Sequence, residues 1–196
     1  RGAGKGLSRL AAPRARRARL AALLRPQGFR LRDGRLLKMR PIRESDAEGL
    51  RAAFNRLSDE SRYQRFMAPV KEVTPDMLQR ATHLDPSREV ALVITHDTDG
   101  GEMIVGGARF AGDADHDCCE FAVTLVDAWQ GLGLGCRVMR KLLRVAQAMG
   151  YKAIYGYVLA SNVPMLALMR RLGFRIEDSS EGLRVKLVVR DLKGVR

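Results

Sequence analysis

The stretch Cys118-Cys-Glu-Phe-Ala-Val-Thr-Leu-Val126-Asp-Ala-Trp-Gln-Gly-Leu-Gly-Leu-Gly-Cys136-Arg-Val-Met-Arg-Lys-Leu-Leu143 constrains the fold more than any other part of the chain. Its first half is apolar and β-branched, with one carboxylate, Glu120, set into it. A turn follows, and then Gly131, Gly133 and Gly135 open a pattern in which apolar residues recur at helical spacing. The order is strand, glycine-rich loop, helix, with the helix expected over 134–149. The glycines carry no Cβ to hold a ligand at a distance, and backbone N–H groups at a helix start can converge on an anion. The helix begins without Ser, Thr, Asp or Asn and has no acid in its first turn, so its first donors and its positive dipole end are unmatched. A phosphate satisfies both.

Two common phosphate loops are excluded. A dinucleotide fingerprint needs a third glycine where Cys136 stands and an acid about 20 residues further on, and no Asp or Glu occurs between Asp127 and Glu177. A Walker loop ends in Gly-Lys-Ser/Thr, whereas Gly135 is followed by Cys136 and Arg137.

The chain has 196 residues, enough for one domain with its own core, and a formal net charge of +13. The charge is unevenly placed: residues 1–40 hold 13 of the 35 Lys and Arg but one acid, Asp33. The remainder is nearly neutral, which argues against nucleic-acid binding by the folded body and leaves any such role to the N-terminal segment. Residues 1–28 are expected as a basic, flexible tail or linker, and 29–196 as the folded domain. Within the tail a short helix from Ser8 to Leu24, broken near Pro13, has Leu20, Leu23 and Leu24 as its apolar face. Its acid-free, Arg-rich composition resembles organelle transit peptides, and a start at Arg1 rather than Met is expected of a fragment, a processed form or an excised domain. The cysteines Cys118, Cys119 and Cys136 form no Cys-x-x-Cys pair and two are adjacent, which points to a reducing, cytoplasmic location. No run of about 18 apolar residues occurs, so no membrane span is expected.

Taken in order, a hairpin is predicted to turn at Asp33-Gly34, followed by a helix from Asp46 to about Leu57 and helical pieces beginning near Ser58 and at Thr74-Pro75. Strands follow at about 89–95, 104–111 and up to Val126. After the central helix come a strand over 153–159, a helix over 163–172 capped by Asn162, and strands near 174–177 and 183–189.

That order and several motifs resemble the GNAT superfamily of N-acetyltransferases. The family's loop reads Gln/Arg-x-x-Gly-x-Gly/Ala, here Gln130, Gly133 and Gly135, and the run Ala160–Phe174 is similar to its second cofactor-side helix with a Gly-Phe ending. Within the superfamily, Arg40-Pro-Ile-Arg-x-x-Asp46, Leu57-Ser-x-Glu60-Ser-Arg62-Tyr and Cys119-Glu120-Phe-Ala-Val123 resemble the acetyltransferase domain of bacterial Pat-type protein lysine acetyltransferases. The resemblance implies an α/β fold with a mixed, mostly antiparallel central sheet flanked by helices on both faces. It implies acetyl-CoA as co-substrate without a metal, and direct transfer in a ternary complex to a lysine ε-amine of a protein, an acyl-CoA synthetase being the first guess.

The residues then take expected roles. Glu120 is the general base, the only acid in an apolar strand, its alternative being a carboxylate turned to solvent or paired with an arginine. Thr124, Leu125 and Val126 offer backbone groups to the pantetheine arm and the thioester carbonyl, unless ordinary strand pairing uses them. Gln130, Gly131, Gly133, Gly135, Cys136 and Arg137 face the phosphates, and Asn162 either caps its helix or contacts the cofactor. One departure from the family is plain: many members carry a tyrosine seven residues after this asparagine as general acid, and here the residue is Met169. Tyr155 and Tyr157 are weak replacements. The acidic tip Asp113-Ala-Asp115-His116-Asp117 is expected as a solvated hairpin end, not a metal site. Other readings stay open: a small-molecule amine acetyltransferase, a non-catalytic acyl-CoA-binding regulatory module, or a factor tethered to nucleic acid through residues 1–28.

Overall fold

The computed structural model describes residues 6–115, 117–180 and 182–192. Among them the chain runs α1 (Gly6–Leu23), β1 (Gln27–Arg30), β2 (Leu36–Pro41), α2 (Ala47–Asn55), α3 (Asp59–Phe66), α4 (Pro75–Thr82), β3 (Glu89–Thr98), β4 (Gly101–Gly112), β5 (Cys118–Leu125), α5 (Leu134–Met149), β6 (Ala153–Leu159), α6 (Val163–Arg171), β7 (Arg175–Asp178) and β8 (Val185–Asp191). The strands form one sheet in the order β1-β2-β3-β4-β5-β6-β8-β7. Every neighbouring pair is antiparallel except β5 with β6. This is the mixed, mostly antiparallel sheet that the family resemblance implies.

Local chemistry sets the helix ends. The Ser58 hydroxyl accepts from Ser61 N, Thr74 accepts from Met77 N with Pro75 opening α4, and Asn162 accepts from Met165 N with Pro164 in the first turn of α6. Gly150, at φ +93°, ends α5 in the left-handed conformation. The buried stripe of α5, Val138, Met139, Leu142, Val145 and Ala146, has the spacing of one helix face and packs on β3, β4 and β5. On β5, Leu125 lies on this side, 3.7 Å from where a Cβ on Gly135 would sit. Its neighbour Thr124 lies on the opposite face, toward α2 and α4, because strand side chains alternate.

The N-terminal segment differs from the tail expected over 1–28. Helix α1 is continuous to Leu23, and Leu20, Leu23 and Leu24 pack against the core. Arg16 Nε donates to the Ala148 carbonyl at 2.8 Å, a cation on the C-terminal end of α5 where the helix dipole favours one. Gln27 and Gly28 already belong to β1. The docking partner of Arg16 lies 132 residues away, and no local pattern reveals it. Residues 1–5 lie outside the described residues.

The motif Arg40-Pro-Ile-Arg-x-x-Asp46 is structural. Arg40, 2% exposed, donates to both carboxylate oxygens of Asp46 at 2.8 Å and to Glu102 at 2.7 and 2.9 Å, tying β2, the turn before α2 and β4 together. Lys38 and then Arg40 hold the Glu102 carboxyl down to about 2. Burial works to raise Asp46, but its bonds from Arg40 and Arg43 outweigh that and leave it lowered. A carboxylate whose folded pKa is depressed stabilises the fold above its unfolded pKa, about 4.3 for Glu, and loses that contribution as pH falls toward the folded value. We predict that urea denaturation shows stability declining between about pH 4.5 and 2. Arg40→Met costs about 3 kcal/mol at neutral pH by leaving the buried Asp46 without its ion pair and Glu102 with Lys38 alone, and a loss under about 1 kcal/mol contradicts this.

Candidate active site

The site begins where β5 loses its partner. β5 pairs with β4 from Cys119 opposite Gly112 to Leu125 opposite Gly106. It pairs with β6 only at Cys118, Cys119 and Glu120, opposite Ala153, Ile154 and Tyr155. Beyond that point β6 continues with β8, and the two strands part. The Phe121 ring occupies the fork: a Cβ on Gly156 would come within 2.8 Å of it, and on its other side it meets Phe174 at a centroid distance of 5.3 Å. The parting opens a groove of about 370 Å³ between β5, β6, the glycine loop and α6.

Eight of the sequence-predicted residues line this groove: Thr124, Leu125, Gln130, Gly131, Gly133, Gly135, Cys136 and Asn162. The three glycines have different reasons to be glycine. Gly131 and Gly133 stand at φ +73° and +79°, and a Cβ on either would meet nothing within 4 Å, so backbone conformation is their constraint. Gly135 has an ordinary helical place, but a Cβ there would lie 3.1 Å from Leu168 of α6, so it allows close packing of the two helices. The start of α5 carries no side-chain cap and no acid in its first turn. Its N–H groups and positive dipole end thus face the groove unmatched. An unpaired strand edge suits the amides of pantetheine and an uncapped helix start suits a diphosphate, so the residues present fit acetyl-CoA.

Three predicted residues lie elsewhere. Val126 is buried, its N–H donates to Val105 O and its carbonyl accepts from Trp129 N, so its backbone is spent on the protein. Arg137 stacks over Phe29 at 4.4 Å and lines a separate cationic cavity with Arg25, Arg140, Lys141 and Arg144, which meets the groove at Gly133 and Cys136. Glu120 sits at the fork itself, on the face of β5 shared by Ala122 and Thr124 and outside the groove lining. It is open to solvent on one side, and the protein around the other raises its pKa by desolvation. Asp113 adds to the rise and Arg65 opposes it.

The wall opposite the loop is helix α3, whose part in the site the sequence reading missed. Asp127 accepts from Ser58 N at 2.9 Å, Ser58 Oγ at 2.6 Å and Ser61 Oγ at 2.8 Å, clamping the start of α3 to the end of β5. Gln130, expected to serve the phosphates, donates its amide to Leu125 O and Ser61 Oγ, bracing the loop. Asn162 both caps α6 and donates to Gln64 Oε1 at 3.1 Å. Ser58, Ser61 and Gln64 follow one another at helical spacing, but their partners are some 65 to 100 residues away, and only the spacing was visible.

Met169 is fully buried and does not reach the groove. Tyr155 donates to Asp113 Oδ1 at 3.0 Å, and burial, then that contact, pushes its hydroxyl pKa up. Tyr157 lines the groove. In the acidic hairpin tip, Asp117 binds Lys152 and Asp115 accepts from Asp117 N, while His116 lies outside the described residues. Among the described residues no group of three or more His, Cys, Asp or Glu is arranged to hold a metal ion.

A mixed sheet parted at its parallel junction, with an uncapped helix start at the opening, fits a thioester of CoA. Residues 36–175 match the family described as acetyltransferase (GNAT) domain, and the chain belongs to that family. It is an acetyl-CoA-dependent acetyltransferase. It is 39% identical over 144 residues to an acetyltransferase of Pseudomonas aeruginosa, covering 74% of this chain and 77% of that protein. It is 30% identical over 158 residues to the acetyltransferase Pat of Mycolicibacterium smegmatis, covering 80% of this chain and 46% of Pat, so it spans about half that protein's length. Among solved structures, the GNAT domain of S. lividans PAT superposes with a TM-score of 0.75 at 29% identity, covering 85% of this chain and 96% of that one. The fold is also that of yncA from Salmonella typhimurium, solved with its cofactor acetyl-CoA, at a TM-score of 0.64 and 18% identity over 82% of this chain and 96% of the other.

The fork yields a test. Gly156→Ala pushes a methyl into the Phe121 ring, and we predict a loss of about 1–3 kcal/mol in urea denaturation together with weaker acetyl-CoA binding by calorimetry. Unchanged affinity in a folded variant contradicts the role given to the fork.

Proposed function

We propose that this chain moves the acetyl group of acetyl-CoA to a lysine ε-amine of a protein, by direct transfer in a ternary complex with Glu120 as general base. The reading is carried by the place of Glu120: a partly desolvated carboxylate at the fork where the groove begins, on the sheet face away from α5. A lysine ammonium has a pKa of roughly 10.4 and must lose a proton before it can attack. A carboxylate whose pKa is raised by desolvation is the better proton acceptor, taking that proton directly or through one water.

Acetyl-CoA supplies the activated acetyl group. Around it, the N–H groups at the start of α5 hold negative charge, with Gly131 and Gly133 shaping the loop. The free edge of β5 at Thr124 and Leu125 orients the chain and offers donors where negative charge develops on a carbonyl oxygen. With Met169 buried, the departing thiolate takes its proton from solvent or from Tyr157, the phenol on the groove wall.

The likeness to Pat proteins supports a protein acceptor, and an acyl-CoA synthetase is the first to test. The three cysteines are free, which fits a reducing, cytoplasmic setting, and among the described residues no helix is long and apolar enough to cross a membrane.

Release of free CoA in the presence of a purified acyl-CoA synthetase measures the reaction. We expect Glu120→Gln to lower kcat by about 10²-fold or more with little change in the KM for acetyl-CoA. Because the base must be ionised, wild-type kcat/KM falls as pH drops through a pKa above the ordinary glutamate value, and the variant lacks that limb. A variant that turns over at the wild-type rate removes Glu120 from the chemistry.

A further inference from the structure

On the α2 side of the sheet a second cavity, of about 330 Å³, adjoins the groove. Arg65, Ala122 and Thr124 line both. The cavity exists because its floor is built from small residues, Ala91, Gly107 and Ala122 on three adjacent strands. Its walls are apolar, with Leu50 and Phe54 from α2, Phe66 from α3 and Met77 from α4. The charged groups in its lining are all arginines: Arg65, Arg80 and Arg109.

Two of these are already matched. Arg80 pairs with Asp76 at 3.0 Å, and Arg109 lies 3.7 Å from Glu89 and donates to Arg80 O. Arg65 is different. It stacks 4.9 Å over the Phe66 ring, and among the described residues it has no carboxylate or carbonyl partner. Burial and the neighbouring Arg109 lower its pKa while Glu120 opposes them, yet an arginine keeps its charge in a protein. Glu120 is near enough to be felt but makes no ion pair with it, so the half-buried guanidinium keeps its hydrogen-bonding fork unfilled, and that planar fork matches a carboxylate.

We propose that the enzyme also accepts acyl groups longer than acetyl that end in a carboxylate, with the chain in this cavity and the distal carboxylate on Arg65. The acyl group is favoured as the occupant because groove and cavity share Arg65, Ala122 and Thr124, which puts the cavity next to a chain extending from the thioester. The inference rests on the groove holding the CoA thioester and deepens that reading by naming a donor class. In the transfer, the acceptor nitrogen bonds to the acyl carbonyl carbon and the carbon–sulfur bond breaks. CoA leaves as its thiolate, the amine's proton passes by way of Glu120 and solvent to that thiolate, and the distal carboxylate is unchanged.

Succinyl-CoA and butyryl-CoA have four-carbon acyl groups that differ in ending in a carboxylate or a methyl. Calorimetric binding of each to the intact chain, with no acceptor present, gives a succinyl-to-butyryl affinity ratio in which any general change in CoA binding cancels. We expect the wild type to favour succinyl-CoA by about tenfold or more, as a charge-assisted pair provides. Arg65→Gln brings the ratio close to one, and Arg65→Lys keeps part of it. A wild-type ratio near one overturns the proposal whether or not either variant folds, and so does a ratio that survives Arg65→Gln. Since no acceptor is used, failure of lysine transfer leaves this result readable, and equal affinities beside intact lysine acetylation overturn the donor class alone.

Discussion

Everything the site does follows from β5 keeping one neighbour and losing the other. A strand in mid-sheet normally spends its backbone groups on both sides, and exposing unpaired groups inside a protein is costly. Here the β6 side is paired for three residues and then released. The release is enforced by packing: Phe121 fills the fork against Gly156, and Phe174 holds the ring from the other side. What would be a defect in an ordinary sheet becomes a ready-made edge for a ligand that carries amides of its own.

The second constraint is that the groove's two ends are fixed independently. At one end Gly131 and Gly133 take left-handed φ values and deliver the uncapped start of α5. At the other, Asp127 gathers Ser58 and Ser61 and so holds α3 as a wall, while Gln130 braces the loop against the same helix. Because α3 carries Arg65 and Gln64 as well, it touches both the groove and the cavity on the opposite face. β5 works in the same double way. Leu125 faces the α5 side, whereas Glu120, Ala122 and Thr124 face the other, so one strand borders both the groove and the cavity.

Much of this was legible in the chain itself, where the signal was local. The glycine loop, the length of α5, the helix starts near Ser58 and at Thr74, and the cap at Asn162 depend on residues within a few positions of one another. The central helix was read at 134–149 and found there. What local pattern could not give were pairings across the fold. Nothing in the N-terminal segment announces that Arg16 caps α5, nothing around Asp127 announces two serines from α3, and Arg40 is one arginine among many until Asp46 and Glu102 close on it. The place of Arg137 depends on such a pairing too: its position at a helix start was legible, but the distant Phe29 ring it stacks on was not. Val126 was one residue too far along the strand, already bonded to Val105 and Trp129.

The central claim is that the parted edge of β5 and the start of α5 together receive acetyl-CoA. Amide hydrogen exchange of the intact chain, with and without saturating acetyl-CoA, tests this most directly. The account predicts slowed exchange confined to two segments, 121–125 and 131–136, with α4 unaffected. Protection that leaves both segments unchanged, or that appears only in the cationic cavity around Arg25 and Arg144, contradicts it.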